Sequence, residues 1–228
     1  MQLTTTLLYL ISYILFFVFN QKSIKGNYQR LIDDKGDFTS KPRQLLYAHF
    51  IGAIWLGFYS VITLKDSFIN TLIDLQTIEI KNILLYVLTL IVILLIALKE
   101  SKSAHEKKAN PESSFQLSGF IFITYFITRA LFLYCYDLWF RGSLLFETAS
   151  AMGRPLAIVL NIFLYVLLHV FNSRKEILGC IPFGITACLF SFLFNAVWPA
   201  ILLHIAFSLA YEINFYRLDS TRLKTLKS

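Results

Sequence analysis

The chain is short of charge. Only 15% of its 228 residues are Asp, Glu, Lys or Arg, while 57% are hydrophobic. A soluble domain of this size carries about 25% charged residues, so a water-soluble globule is excluded. The charges present are bunched, leaving apolar runs of roughly 15 to 20 residues, each about long enough for an α-helix to cross ~30 Å of hydrocarbon. Cysteine is scarce and odd in number. Cys135, Cys180 and Cys188 all fall in apolar stretches, without metal-ligand spacing, and read as small core residues. The first twenty residues, "MQLTTTLLYLISYILFFVFN", lack the basic start and the small-residue cleavage site of a removed signal peptide, and read as a retained first span. Neither an internal repeat nor a heptad pattern is present, and Pro182 and Pro199 stand isolated. This speaks against a transporter built from repeated halves with interrupted helices.

What is present is an all-α, polytopic transmembrane helical bundle. Expected spans are 4–20, 46–64, 82–98, 116–135, 155–171, 177–193 and 196–214. Three segments follow: spans with basic loops over 1–115, core helices over 116–216, and a basic tail over 217–228. The net charge of +7 does not form a nucleic-acid surface, because the basic residues lie in loops between apolar segments. The lipid bilayer is the partner expected from that placement. With seven spans, sixteen basic residues fall on one side, in loop 21–45, loop 99–114, the turn "NSRKE" and the tail. Four fall on the other: Lys65, Lys81, Arg141 and Arg154. The positive-inside rule then places the C-terminus in the cytoplasm. Loop 99–114 reads as a solvated linker with an exposed His105. Region 116–152 is too long for one crossing, since a straight helix would run ~55 Å. It must tilt, overhang, break near Thr128 and Arg129, or hide an eighth span.

A few polar residues lie deep in the apolar C-terminal half. Asp137 and Arg141 share a helix face one turn apart. His169 follows Tyr165 by one turn, and His204 precedes Ser208 by one turn. An ionisable group in a spanning helix costs ~2.5–3.5 kcal/mol on insertion scales, so it normally faces the bundle interior and has a partner. The bend "AMGRP" separates Asp137 from His169 by about sixteen residues on either side, so both travel ~24 Å and arrive at one level. His204 arrives within roughly 7 Å of it. A carboxylate and two imidazoles can therefore meet in one pocket, nearer the "NSRKE" end. A straight helix from loop 99–114 would carry Asp137 to the opposite face; the short, well-marked bend favours the hairpin. Other polar residues have blander readings. Glu147 lies ~16 Å along the helix from Tyr136. Glu212 meets water, His49 is interfacial, and Arg129 anchors a helix break or pairs with Asp137.

At these residues the chain resembles the CPBP family of intramembrane metalloproteases, which includes the CAAX prenyl endopeptidases and bacteriocin-immunity proteins. The stretch "YDLWFRG", Tyr136 to Gly142, is similar to the family's EExxFRG. "YVLLH", Tyr165 to His169, is similar to FxxxH, and "HIAFS", His204 to Ser208, to HxxxN. The resemblance covers about residues 120–214. It implies an endopeptidase in which a carboxylate and His169 activate water while His204 and the third-motif polar residue steady the oxyanion. Asp137, His169, His204 and Ser208 are then the catalytic candidates, supported by Tyr136, Arg141 and Tyr165. A divalent metal, zinc by expectation, would be held by His169 and His204. A peptide or protein substrate, or a membrane partner, and a bacterial inner membrane location are implied as well. The departures fall on the chemistry. Tyr136 replaces the first glutamate, and a phenol of pKa ~10 is a poor base near neutrality. Asp137 shortens the second glutamate by a methylene, and Ser208 replaces the asparagine. Two readings follow: Asp137 and His169 still polarise a water, or the Asp137–Arg141 pair is structural within an inactive immunity or interaction scaffold.

Overall fold

The computed structural model describes residues 3–32, 39–64, 71–72, 79–107 and 119–218. Among these residues it contains helices and no β-strand. In hydrocarbon every backbone N–H and C=O must be satisfied within its own segment, so long apolar runs become helices. In chain order these are α1 (Leu3–Lys25), α2 (Pro42–Leu64), α3 (Ile80–Glu106) and α4 (Gly119–Asp137). A π-helical segment, Leu138–Leu144, continues α4 without a break into α5 (Leu145–Met152). After it come α6 (Arg154–Leu168), α7 (Arg174–Leu193) and α8 (Trp198–Leu218).

Helices α1, α2, α3, α7 and the continuous Gly119–Met152 helix are long and apolar enough to cross a membrane. The expected spans 155–171 and 196–214 fall on the other two. At 15 residues α6 is apolar but short, about 22 Å long. The 21 residues of α8 include His204, Ser208, Glu212 and Asn214. The outer faces are oily: Leu84, Leu88 and Leu95 of α3 stand open, as do Phe58 of α2 and Val159 of α6. Large apolar residues facing outward at this density mark a lipid-facing surface. The chain is an integral membrane protein.

Two expectations are corrected here. The first residues of loop 99–114 are helical, because α3 runs on to Glu106, and His105 lies half-buried, edge-on to Phe215 at 5.5 Å. Residues 108–114, Lys65 and the tail from 219 lie outside the described residues. Nor does the 116–152 region break near Arg129. The Thr128 hydroxyl donates back to the carbonyls of Thr124 and Tyr125, a bond the helix accommodates. The irregularity is the π segment instead, and the chain turns at Gly153, whose φ of 84° favours glycine. Pro155 then sits in the first turn of α6, where no N–H is needed.

Helix α2 packs along α4, and α3 packs along α8. The largest buried cluster joins Tyr9, Tyr13 and Phe16 of α1 to Tyr136, Trp139 and Phe140, and to Tyr165 of α6. Gly184 of α7 lets that helix close on α6, since a Cβ there would lie 3.2 Å from the Tyr165 ring. These contacts set the ring of Tyr165 at the centre of the site.

Candidate functional site

Asp137 ends α4 and is fully buried. One turn on, inside the π segment, Arg141 is equally buried, with Nη1 2.9 Å from Asp137 Oδ1. The separation is that of an ion pair, although the N–H is not aligned for a hydrogen bond. Aromatic faces surround the guanidinium: its Cζ lies 4.4 Å from the Tyr165 ring centre, 5.5 Å from Phe140 and 5.8 Å from Tyr136. Cation–π attraction of this kind is worth about 2 kcal/mol or more when desolvated. The other carboxylate oxygen, Oδ2, accepts from His204 Nδ1 at 2.8 Å. Asp137 thus neutralises one buried cation and orients one imidazole.

His169 is not mid-helix. Helix α6 ends at Leu168, and His169 is its C-cap, its Nδ1 donating to the Tyr165 carbonyl at 3.0 Å. Its ring lies 4.9 Å from the Tyr165 ring, and the His204 ring lies 6.4 Å from the same ring on another helix. Tyr165, 4% exposed, therefore stands between the two histidines, at the level of Arg141. His169 falls one turn farther along. A common level requires ideal α geometry on both arms, and a π segment, with its i→i+5 bonding, advances less per residue.

Ser208 is held from another helix. Its hydroxyl accepts from Arg129 Nε at 3.1 Å, and the same guanidinium meets His49 Nε2 at 2.9 Å through Nη1. Below it Glu212 accepts from the Tyr125 hydroxyl at 2.9 Å. His49, expected at the interface, and Glu212, expected to meet water, are 3% and 4% exposed; Arg129 neither anchors a helix break nor pairs with Asp137. These five, Tyr125, Arg129, His49, Ser208 and Glu212, form a second polar cluster, buried except for half-buried Arg129, along α2, α4 and α8. Its sequence signal is the ionisable pair Arg129 and Glu212 within apolar runs, since such groups need partners.

Tyr136 is buried among Phe16, Phe132, Phe140 and Tyr165, and its hydroxyl has no hydrogen-bond partner. The expected metal finds no matching donor set. Among the described residues no three His, Cys, Asp or Glu side chains gather as a metal-binding group. His204 Nδ1 is committed to Asp137 and His169 Nδ1 to a carbonyl, so a two-histidine centre would rest on Nε2 atoms alone, against the three protein ligands of a usual catalytic zinc. The three cysteines are buried and free; Cys188 Sγ donates to Asn161 Oδ1 at 3.4 Å.

One carboxylate went unread in the sequence. Glu176 occupies the third position of α7, where Ser173 caps the helix and accepts from the Glu176 N–H. Its Oε2 accepts from Arg30 at 2.5 Å, its Oε1 from Asn172 Nδ2 at 2.7 Å, and Oε1 faces His169 Nε2 at 3.9 Å. The S-x-x-E pattern of Ser173 to Glu176 marks a helix start, which was the available signal. At the same end of the bundle, a groove of about 420 Å³ is lined by Phe17, Val18, Gln21, Lys22, Lys25 and Phe171.

A buried ion pair that orients an imidazole, inside a bundle of lipid-facing helices and beside a second histidine, defines an integral membrane protein with an enclosed polar site. Residues 87–210 match the family model of the type II CAAX prenyl endopeptidase Rce1-like proteins, and the chain belongs to that family. Neither the curated proteins nor the solved structures include a match to it.

Proposed function

We propose that the protein is a membrane-embedded endopeptidase of the CAAX-protease type, hydrolysing a peptide bond of a membrane-proximal substrate. The observation that carries this reading is the fixing of His204 by fully buried Asp137, with His169 across the Tyr165 ring. Burying a carboxylate is costly unless it is paired. Here its two oxygens are divided between a cation and an imidazole, an expense that mere packing of α4 on α8 does not require. With Nδ1 held, His204 offers Nε2 to a substrate, and the Asp137 carboxylate steadies the ring when it carries a second proton. Ser208, held by Arg129, retains its own O–H to donate to an oxyanion. The setting is a bacterial inner membrane, with the basic loops and the C-terminus on the cytoplasmic side.

One observation favours a second reading, an inactive scaffold of the immunity or interaction type. The position of the first glutamate is filled by Tyr136, packed on all sides. One assay separates the two. The protein in lipid nanodiscs is given membrane-proximal peptides and compared with His169→Ala and His204→Ala. Each substitution is expected to lower the cleavage rate at least about 100-fold. Equal cleavage by all three proteins, or none by the wild type, overturns the endopeptidase.

A further inference from the structure

Asp137 cannot touch a substrate. It is 0% exposed and both of its oxygens are engaged, whereas the side chains of His169 and Glu176 are 18% and 25% exposed. A hydrolase needs a polar group that reaches water, and the carboxylate that does so next to a motif histidine is Glu176.

The tautomer of His169 sharpens this. Its Nδ1 faces a carbonyl, which only accepts, so Nδ1 carries the hydrogen and Nε2 of the neutral ring carries a lone pair. That lone pair faces Glu176 Oε1 at 3.9 Å. Two acceptors at this range repel unless a donor lies between them. A water about 2.8 Å from each bridges such a gap, giving one hydrogen to each. The carboxylate is held in place for this: Arg30 takes Oε2, Asn172 takes Oε1 from another side, and the first turn of α7 favours its negative charge.

We propose that Glu176 and His169 hold the hydrolytic water between them, Glu176 supplying the carboxylate that Tyr136 has displaced. This rests on the endopeptidase reading above. The water oxygen bonds to the scissile carbonyl carbon while its proton passes to His169 Nε2. The Glu176 carboxylate offsets the charge of the imidazolium so formed. When the C–N bond breaks, Nε2 returns the proton to the departing amine, leaving a neutral amine and a carboxylic acid that loses its own proton to water. Glu176, tied to a cation, is the weaker base of the two; it aims the water and stabilises the charged ring.

The test combines kinetics with a readout that needs no turnover. In nanodiscs, Glu176→Gln is expected to lower kcat about 100-fold with KM within about twofold, because the loss falls on a step after binding. Glu176→Asp is expected to recover part of it. The double variant His169→Ala/Glu176→Gln is expected to be no slower than His169→Ala alone, since both act through one water. Independently, ¹⁵N-histidine NMR of the wild type is expected to show an unprotonated His169 Nε2 with a water cross-peak that Glu176→Gln removes. Wild-type cleavage that survives Glu176→Gln unchanged overturns the assignment alone, as does an Nε2 that carries its own hydrogen directly to Glu176. A cross-peak without any wild-type cleavage supports the held water and overturns the endopeptidase.

Discussion

Removing the carboxylate of Asp137 strands two partners at once. Arg141 keeps its charge in a fully buried position with only ring faces against it, and His204 loses the group that orients it. Breaking one side of a buried pair costs about 3–5 kcal/mol, because the remaining charge is left uncompensated. Asp137→Asn is therefore expected to destabilise the protein by that amount in reversible unfolding from detergent micelles. Asp137→Leu/Arg141→Met is expected to cost less than the single change, because no charge is left behind. A single variant as stable as the wild type would mean the pair is not desolvated. The pairing of Asp137 with Arg141 was legible, since a spacing of four fixes a shared face whatever surrounds it. That Asp137 and His204 meet followed from counting helical rise. The partners of Arg129 and Ser208 did not follow, because they depend on the rotation of α2, α4 and α8 about their axes, which chain order does not set. Glu176 was hidden differently. It sits in a polar turn whose composition reads as solvated, and only the approach of Arg30 from a distant loop draws it inward.

At the scale of elements, the apolar runs declared the helices and the bend at Gly153, with most ends shifted by a few residues, but α3 runs on to Glu106 and α4 through the π segment to Met152. The π segment was not legible. Hydrophobic periodicity reports that a helix exists and is nearly blind to one inserted residue in a run apolar on all sides. The excess length of 116–152 comes from the helix running unbroken to Met152, not from the π segment. Its position matters for the site, because Arg141 lies inside it and the Asn161 amide donates to the Phe140 carbonyl at 2.6 Å. Such segments recur at functional sites, where they re-aim side chains. Deleting Ser143 is expected to restore ordinary α-helical bonding while re-aiming the side chains inside the segment, Arg141 among them, relative to Asp137 and α5. Helix content by circular dichroism should stay near the wild-type value. The cleavage rate should fall at least about 100-fold, as for loss of a catalytic group. A deletion variant that cleaves normally would show that the π segment does not position the site.

Across the whole molecule, the basic loops converge. Arg30 of the first loop bonds Glu176 of the "NSRKE" turn, Lys175 of that turn pairs with Glu100 near the end of α3, and Lys25 lies 5.7 Å over the Phe171 ring. These contacts join three segments far apart in the chain at one end of the bundle. Lys81 stands at the opposite end of α3, about 38 Å from Glu106. The end rich in lysine and arginine is also the end that carries His169 and Glu176. Positive charge is retained on the cytoplasmic side, so the site is expected to open there. Single-cysteine reporters in a background without Cys135, Cys180 and Cys188 test this in intact cells with a membrane-impermeant thiol reagent. Lys81→Cys is expected to label from outside. Lys175→Cys is expected to label only after the cells are opened. The reverse pattern would put the histidines at the outer face, and their substrate would then have to be a secreted or surface peptide instead of a cytoplasmic one.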